Sequence, residues 1–357
     1  MSIVKALDTS RAAREGRRVS VIIPYYNSGW SIARTLRSVL AQRFTDYEVI
    51  LIDDGSADDA VRYFDAVPGA HDRIRIVRQD NRGLAGARNR GIAESVGEFV
   101  APIDADDLWH PNYLTELVSG LDHHATAPFA FCMSHRIDEN DQLLAPLDLA
   151  ESPRHDFAGL VSLNSIGSGS AAVFRRSALV AAGGYDETLK MRAAQGAEDW
   201  KLCVHVAAQN TPAFIPRRLV AYRLTRAGMS QARPDRQLAG IEAVIGDLRA
   251  THPHASPALL RDARTMMIAW LLPTFLRHRL FGAALRQGAR AYLANPLWWR
   301  NRNLRLVHAA RARMALSFIA GRRWLPTPLA DFVECGEKPF SFLNEGTSPV
   351  PGQPSSH

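Results

Sequence analysis

The sequence predicts an α/β protein with a mostly parallel central sheet, followed by a helical C-terminal region. Three observations carry this. From Val19 onward, short apolar β-branched runs alternate with longer amphipathic ones, the pattern of strands crossed by helices. The acidic and polar clusters fall at the carboxyl ends of those short runs, where open α/β sheets bind ligands. Beyond residue 257 the runs lengthen, and Leu, Met, Trp and Arg interleave as in packed helices.

In chain order, VSVII at 19–23 reads as a first buried strand ending at Pro24. A helix follows from Ser28, with Ile32, Leu36, Val39 and Leu40 at helical spacing. YEVILID at 47–53 is a second strand and RIRIV at 73–77 a third; 84–96 is a helix, and EFVAPI at 98–103 a strand leading into Asp104, Asp106 and Asp107. Phe129–Ser134 is expected as a strand, 167–174 as a Gly/Ser loop running into one, and 198–208 as a helix. Four regions result: a flexible segment over 1–17, the α/β domain over 18–228, a basic helical region over 229–330, and a largely disordered tail over 331–357 that ends rich in Pro, Ser and Gly.

With 357 residues, 46% of them hydrophobic, the chain can bury a large core without covalent staples. Its three cysteines, Cys132, Cys203 and Cys335, are widely spaced and odd in number, with no CxxC pair, which argues against a disulfide framework or a zinc site. The charged opening segment lacks the apolar run of a secretory signal, and the greasiest stretch, 266–276, is too short to span a bilayer. The expected location is cytoplasmic, peripheral on the inner face of the cell membrane. The net charge of +7 is uneven: residues 251–357 hold 14 Lys and Arg against 5 Asp and Glu, leaving −2 for the rest. No acidic residue stands between Asp262 and Asp331, so this stretch suits an anionic surface or ligand. No recognisable nucleic-acid module accompanies the charge, and no nucleic-acid partner is expected.

Asp104, Ala105 and Asp106 place two carboxylates two residues apart after an apolar strand. That spacing lets both approach one hard cation, Mn2+ or Mg2+, which can also bridge a diphosphate. The plainer reading is a solvated acidic turn capping the next helix. Asp53 and Asp54 form a second acidic turn, able to accept hydrogen bonds from a base or ribose, or to cap a helix. Pro24, Tyr25, Tyr26 and Asn27 offer an aromatic face and an amide at the end of the first strand, or simple packing. Residues 81–89 make a glycine-containing helix entry in which Arg88 can pair with a phosphate. Glu198 and Asp199 either act chemically or merely complement a helix dipole.

Taken together, the blocks VSVIIPYYNS, VILIDDGSADD, NRGLAGARNRGI, GEFVAPIDADDLW, GSGSAAVFRRSALVAAGGYDE and GAEDWKL resemble the family 2 glycosyltransferases of the GT-A fold over roughly residues 18–228. The resemblance implies transfer of a sugar from a nucleotide diphosphate donor, a UDP-sugar being expected, to an acceptor hydroxyl with inversion. By the same resemblance Pro24, Tyr25, Tyr26, Asn27, Asp53 and Asp54 would hold the nucleoside, and Arg88 would lie near the diphosphate. Asp104 and Asp106, with Ala105 between them, would carry the metal, and Asp199 would be the catalytic base. Gly169, Ser170, Glu198 and Trp200 would face the acceptor, a glycan or a lipid-linked sugar in surface polysaccharide or glycolipid synthesis.

One departure stands out. Relatives often carry a His two residues after a Tyr-Arg pair, whereas here Tyr222 and Arg223 lead into Leu224 and Thr225, leaving Arg223 or Arg226 to take over the charge role. Two competing readings have definite marks. A sugar nucleotidyltransferase would show a glycine-rich loop where this chain has Pro24–Asn27, and a catalytically silent scaffold would show a broken DxD or Glu-Asp pair. In the basic region, Trp298 and Trp299 suit a membrane interface, while Met266, Met267, Trp270 and Leu271 have the spacing of side chains packed on the catalytic domain.

Overall fold

A computed structural model of the chain describes residues 16–58, 73–144, 154–225, 228 and 232–302, together with 304, 305, 308, 309, 327, 328 and 340. Most of the expected flexible segment 1–17, Arg226, Cys335 and the expected tail beyond 340 lie outside the described residues.

The sheet has two halves. Strands β1 (Val19–Tyr25), β2 (Tyr47–Asp53), β3 (Ile74–Arg78) and β4 (Phe99–Pro102) are parallel in the order 3-2-1-4. β1 and β2 are buried along their whole length, which is why they read as continuous apolar runs and not as alternating ones. Helices α1 (Ile32–Leu40) and α2 (Gly83–Glu94) make the first crossovers. Because β2 and β4 flank β1 on opposite sides, the strand order reverses at β1, and the loops after β1 and β4 open into one crevice.

The other half is mixed. After β4 come the two-residue β5 (Leu108–Trp109), helix α3 (Tyr113–His123), β6 (Phe129–Ile137) and β7 (Gln142–Leu143). Helix α4 (Phe157–Ser162) and a 3-10 turn over Gly169–Ala171 then lead to β8 (Ala172–Arg175), which runs antiparallel between β4 and β6. The short helices α5 (Arg176–Ala181) and α6 (Thr188–Met191) precede α7 (Glu198–Ala207) and the long β9 (Ala213–Arg223). The sheet is thus parallel where the crevice opens and mixed beyond it. β9 runs parallel to β6 with register shifts around Met133, and pairs antiparallel with β5, so both ends of the Asp104–Asp107 loop are pinned to strands.

The helical region consists of α8 (Pro234–Thr251), α9 (Pro257–Arg277) and α10 (Phe281–Ala294). Pro234 and Pro257 stand in the first turns of α8 and α9, where a missing N–H costs nothing, and Ser256 caps α9 by accepting from the Leu259 N–H at 3.2 Å. Ile241, Val244 and Leu248 of α8 and Leu260, Leu271 and Phe275 of α9 join the same hydrophobic core as the sheet. No described helix is long and apolar enough to cross a membrane. Cys132 and Cys203 are buried free thiols.

Candidate active site

The loop between β4 and β5 carries Asp104, Ala105, Asp106 and Asp107, and its last residue anchors it. Asp107 is fully buried; its carboxylate accepts from the hydroxyls of Ser170 (2.6 Å) and Ser168 (3.1 Å) and from the backbone N–H of Arg223 (2.9 Å). Ser170 is the hub of this anchor: its hydroxyl also accepts from the Asp104 N–H at 3.0 Å, and its carbonyl accepts from the Trp109 indole at 2.9 Å. Ser31 donates to the Ala105 carbonyl at 2.8 Å. The two outer carboxylates are therefore held by a clamp drawn from α1, the 3-10 turn and β9.

Asp104 and Asp106 are half-buried and differ in what compensates them. Asp104 meets the guanidinium of Arg88 at 2.5 Å. No other residue donates to the Asp106 carboxylate among the described residues; burial, then the Asp104 charge, pushes Asp106 up to about 6 against a smaller opposing pull from Arg223. Asp107 is pushed well above the ordinary carboxylate range, by burial first and then by Asp106 and Asp104.

Arg88 projects from α2 and is only 2% exposed. Its guanidinium carbon lies 5.1 Å from the centre of the Tyr185 ring. Burial opposes its charge, but Asp104, Tyr185, Glu198 and Asp199 outweigh burial and hold it more firmly protonated than a free arginine. Gly169 packs directly on it: a Cβ there would stand 2.5 Å from Nη2, so this position is a glycine for reasons of space. The structure thus places Arg88 beneath the crevice with Asp104 as its partner, not on an open surface.

That same arginine draws in the start of α7. Glu198 is buried and accepts from the Gly196 N–H at 2.7 Å, while Oδ1 of Asp199 accepts from the Trp200 N–H at 2.7 Å. Burial, then the neighbouring Glu198 charge, raises Asp199 to about 6, with Arg88 pulling the other way. Oδ2 of Asp199 has no protein donor among the described residues, which leaves one basic oxygen able to take a proton. Asp104 and Asp199, far apart in sequence, both act on Arg88, and Asp106 joins them through the charge of Asp104.

The ends of β1 and β2 are built differently. Asp53 accepts from the Ser56 N–H (2.8 Å) and from Arg78 (2.7 Å). Asp54 accepts from the Gln79 amide (2.7 Å) and from the backbone N–H groups of Arg82 (2.8 Å) and Gly83 (2.7 Å), the residues that open α2. Gly83 begins the helix at φ +80°, where a side chain is strained, and Asp54 supplies from another strand the cap that Arg82 cannot. The helix N-terminus that the sequence offers to a phosphate is thus engaged by a carboxylate. Pro24 and Tyr25 are buried, with Tyr25 kept protonated by burial and by Asp53. Asn27, at φ +50°, accepts from the Ala57 N–H at 2.8 Å and ties this loop to the one after β2. Tyr26, about half exposed, presents its ring to solvent.

Several expectations need correction. Trp200 does not face an acceptor: it is 1% exposed, and its indole donates to the Leu160 carbonyl at 3.0 Å. Gly169 and Ser170 are likewise buried and shape the site from below. Arg223 does not replace the missing His as a free charge; its guanidinium donates to the carbonyls of Asp106 and Asp138, both at 2.7 Å, and pairs with Asp141. The sequence reading missed Tyr185 and the roles of Ser168 and Asp107. Of these only Asp107 carried a signal, as a third acid beside an already sufficient pair.

Residues 20–181 match the model of glycosyl transferase family 2. An uncharacterized glycosyltransferase of Nostoc sp. is 38% identical over 130 residues, covering 36% of this chain and 39% of that protein. The curated relatives are matched over no more than 39% of their own lengths. Among solved structures, residues 1–349 of TarS from Staphylococcus aureus, in complex with UDP-GlcNAc, align with a TM-score of 0.57 at 19% identity, covering 86% of this chain and 93% of that one. The mannosyltransferase PcManGT from Pyrobaculum calidifontis, in complex with GDP-Man and Mn2+, aligns with a TM-score of 0.56 at 22% identity, covering 86% and 88%. These neighbours share the GT-A fold.

Proposed function

We propose that this chain, whose residues 20–181 match the model of glycosyl transferase family 2, transfers a sugar from a nucleotide diphosphate donor to an acceptor hydroxyl, inverting the anomeric carbon with Asp199 as base. One observation carries the reading: the candidate base and the first aspartate of the DxD pair, distant in sequence, are assembled around a single buried arginine. Nucleotide sugars bound by TarS and PcManGT support the donor class.

Asp104 and Asp106 fit a divalent cation. They offer hard oxygen donors, and a crowded, half-buried pair in which Asp106 favours a proton is relieved by a cation. Among the described residues no set of three His, Cys, Asp or Glu forms a metal cluster, so water and donor oxygens would fill the remaining positions. Mn2+ or Mg2+ held there supplies charge neutralisation for the diphosphate leaving group.

The chain's own residues do the rest. Arg88 fixes Asp104 from below, and the Asp107 clamp fixes the loop that carries it. The Trp200 N–H orients the Asp199 carboxylate, and burial, then Glu198, raises its proton affinity toward the range where a general base works best. As the acceptor oxygen bonds to the anomeric carbon, its proton passes to Asp199. The bond from that carbon to the diphosphate breaks, and its electron pair leaves with the nucleotide. The acceptor fitting this reading is a glycan or a lipid-linked sugar in surface polysaccharide or glycolipid synthesis.

The test is to incubate the purified protein with Mn2+ or Mg2+ and a panel of nucleotide sugars, to follow nucleotide diphosphate release, and to read the anomeric configuration of the product by NMR. Cation-dependent turnover of one donor with inversion, lost in Asp106→Asn, is the expected result. Retention of configuration would remove Asp199 as base, and normal donor binding without turnover on any acceptor would favour a scaffold.

A further inference from the structure

Helix α10 is amphipathic in the wrong direction for a helix that only packs on its own protein. The residues it turns inward are small: Ala284, Gly288 and Ala291 are buried, Gly288 approaching Leu272 of α9. Its large apolar residues point outward, with Phe281 63%, Leu285 75% and Leu293 80% exposed. At about 100° per residue, 281, 285, 289 and 293 form one solvent-facing row, with Arg286 and Arg290 along its edge. The row continues past the helix end into Leu297 and Trp299. Seven of the eleven exposed large hydrophobic side chains among the described residues fall between Leu276 and Trp299. A concentration of that kind marks a docking surface.

Charge says what docks there. The segment between Asp262 and Asp331 contains twelve arginines and no acid. Among the described residues no carboxylate pairs with Arg279, Arg286, Arg290 or Arg300, and Asp262 itself is held by the amides of Asn295 and Asn301, both at 2.7 Å. The tandem tryptophans divide the labour. Trp298 packs edge-on against Tyr292 at 5.5 Å, while Trp299 lies half exposed with Arg300 stacked 5.4 Å above its ring. A protein partner would need its own acidic apolar groove; a bilayer with anionic head groups offers negative charge and hydrocarbon in the arrangement this face presents.

We infer that the outer face of α10, extended by Leu297 and Trp299, seats this chain reversibly on an anionic lipid surface, with the apolar row entering the head-group boundary and the arginines pairing with phosphates. This is independent of the catalytic reading. The full-length chain should be sedimented with vesicles of phosphatidylcholine alone and of equimolar phosphatidylcholine and phosphatidylglycerol, at low and high salt. Preferential, salt-sensitive binding to the anionic vesicles is expected. Leu285→Glu combined with Leu293→Glu should abolish it without changing the melting temperature, since both side chains lie outside the core. Arg286→Gln with Arg290→Gln should lower partitioning roughly 20- to 30-fold, at about fivefold per surface charge. Equal binding to neutral vesicles, unchanged binding by the leucine variant, or a soluble dimer that the leucine variant dissociates would each overturn the inference, the last in favour of a second copy of this chain.

Discussion

Two acidic motifs end neighbouring parts of the same sheet, Asp53-Asp54 after β2 and Asp104-Ala105-Asp106 after β4, and the fold treats them oppositely. Each oxygen of the first pair is met by donors: Ser56, Arg78, Gln79, Arg82 and Gly83. In the second, one buried arginine serves Asp104, and Asp106 meets burial and the Asp104 charge with only a smaller pull from Arg223 against them. Saturated carboxylates build structure, because their charge is already answered. Under-compensated ones hold free energy that a cation, a proton or a substrate can release. Asp199 belongs to the second class, and Asp107 stands between the two, its oxygens met by donors while burial, Asp106 and Asp104 favour its protonated form.

The sharpest way to break this contrast is to remove charges one at a time and compare stability in the absence of cation. Asp104→Ala strands a buried guanidinium and should cost about 3 kcal/mol by chemical denaturation. Asp106→Ala, which removes a charge that burial and Asp104 disfavour more than Arg223 favours it, should leave stability unchanged or slightly raised, although both variants should lose turnover. Equal destabilisation by the two would erase the distinction.

A somewhat smaller loss is expected on the saturated side. Asp54→Ala leaves the Gln79 amide and the first N–H groups of α2 without their acceptor and should cost about 2 kcal/mol. It should lower the urea midpoint with an unchanged m-value.

Acidity offers a third comparison. Asp199 rises from 3.8 to about 6 on folding, so folding strengthens its hold on a proton. Its contribution to stability is full below about pH 4 and is lost as pH rises through about 6, on the order of 2 kcal/mol. The difference in unfolding free energy between wild type and Asp199→Asn should therefore open across that window. As a base it must be unprotonated, so kcat/KM should fall with pH below about 6. An acid limb near pH 4 would show that burial does not tune this carboxylate.

Much of this was legible in the sequence because it is local. β2 was read to the residue from YEVILID, and the start of α7 from its Glu-Asp pair. What was missed is non-local. β9 carries Pro216, Arg217 and Arg218 through its middle and is held by pairing with β6 across register shifts, so its sequence does not alternate like a strand. Asp107 acquires its role from Ser168, Ser170 and Arg223, residues that only the completed sheet brings near. Arg88 reads as a surface phosphate ligand until Gly169 and Tyr185 close over it. In α10 the pattern of large and small residues was visible, but which face turns inward depends on α9.

The most direct test of the account is Asp199→Asn, read for rate and stability in the same preparation. Nucleotide diphosphate release should fall by about 10²- to 10⁴-fold with donor affinity intact, while the melting temperature at neutral pH rises by several degrees, since an under-compensated buried charge has been removed. A variant that keeps its turnover, or loses it together with stability, would mean that Asp199 is a structural acid like Asp54 and that the base lies elsewhere.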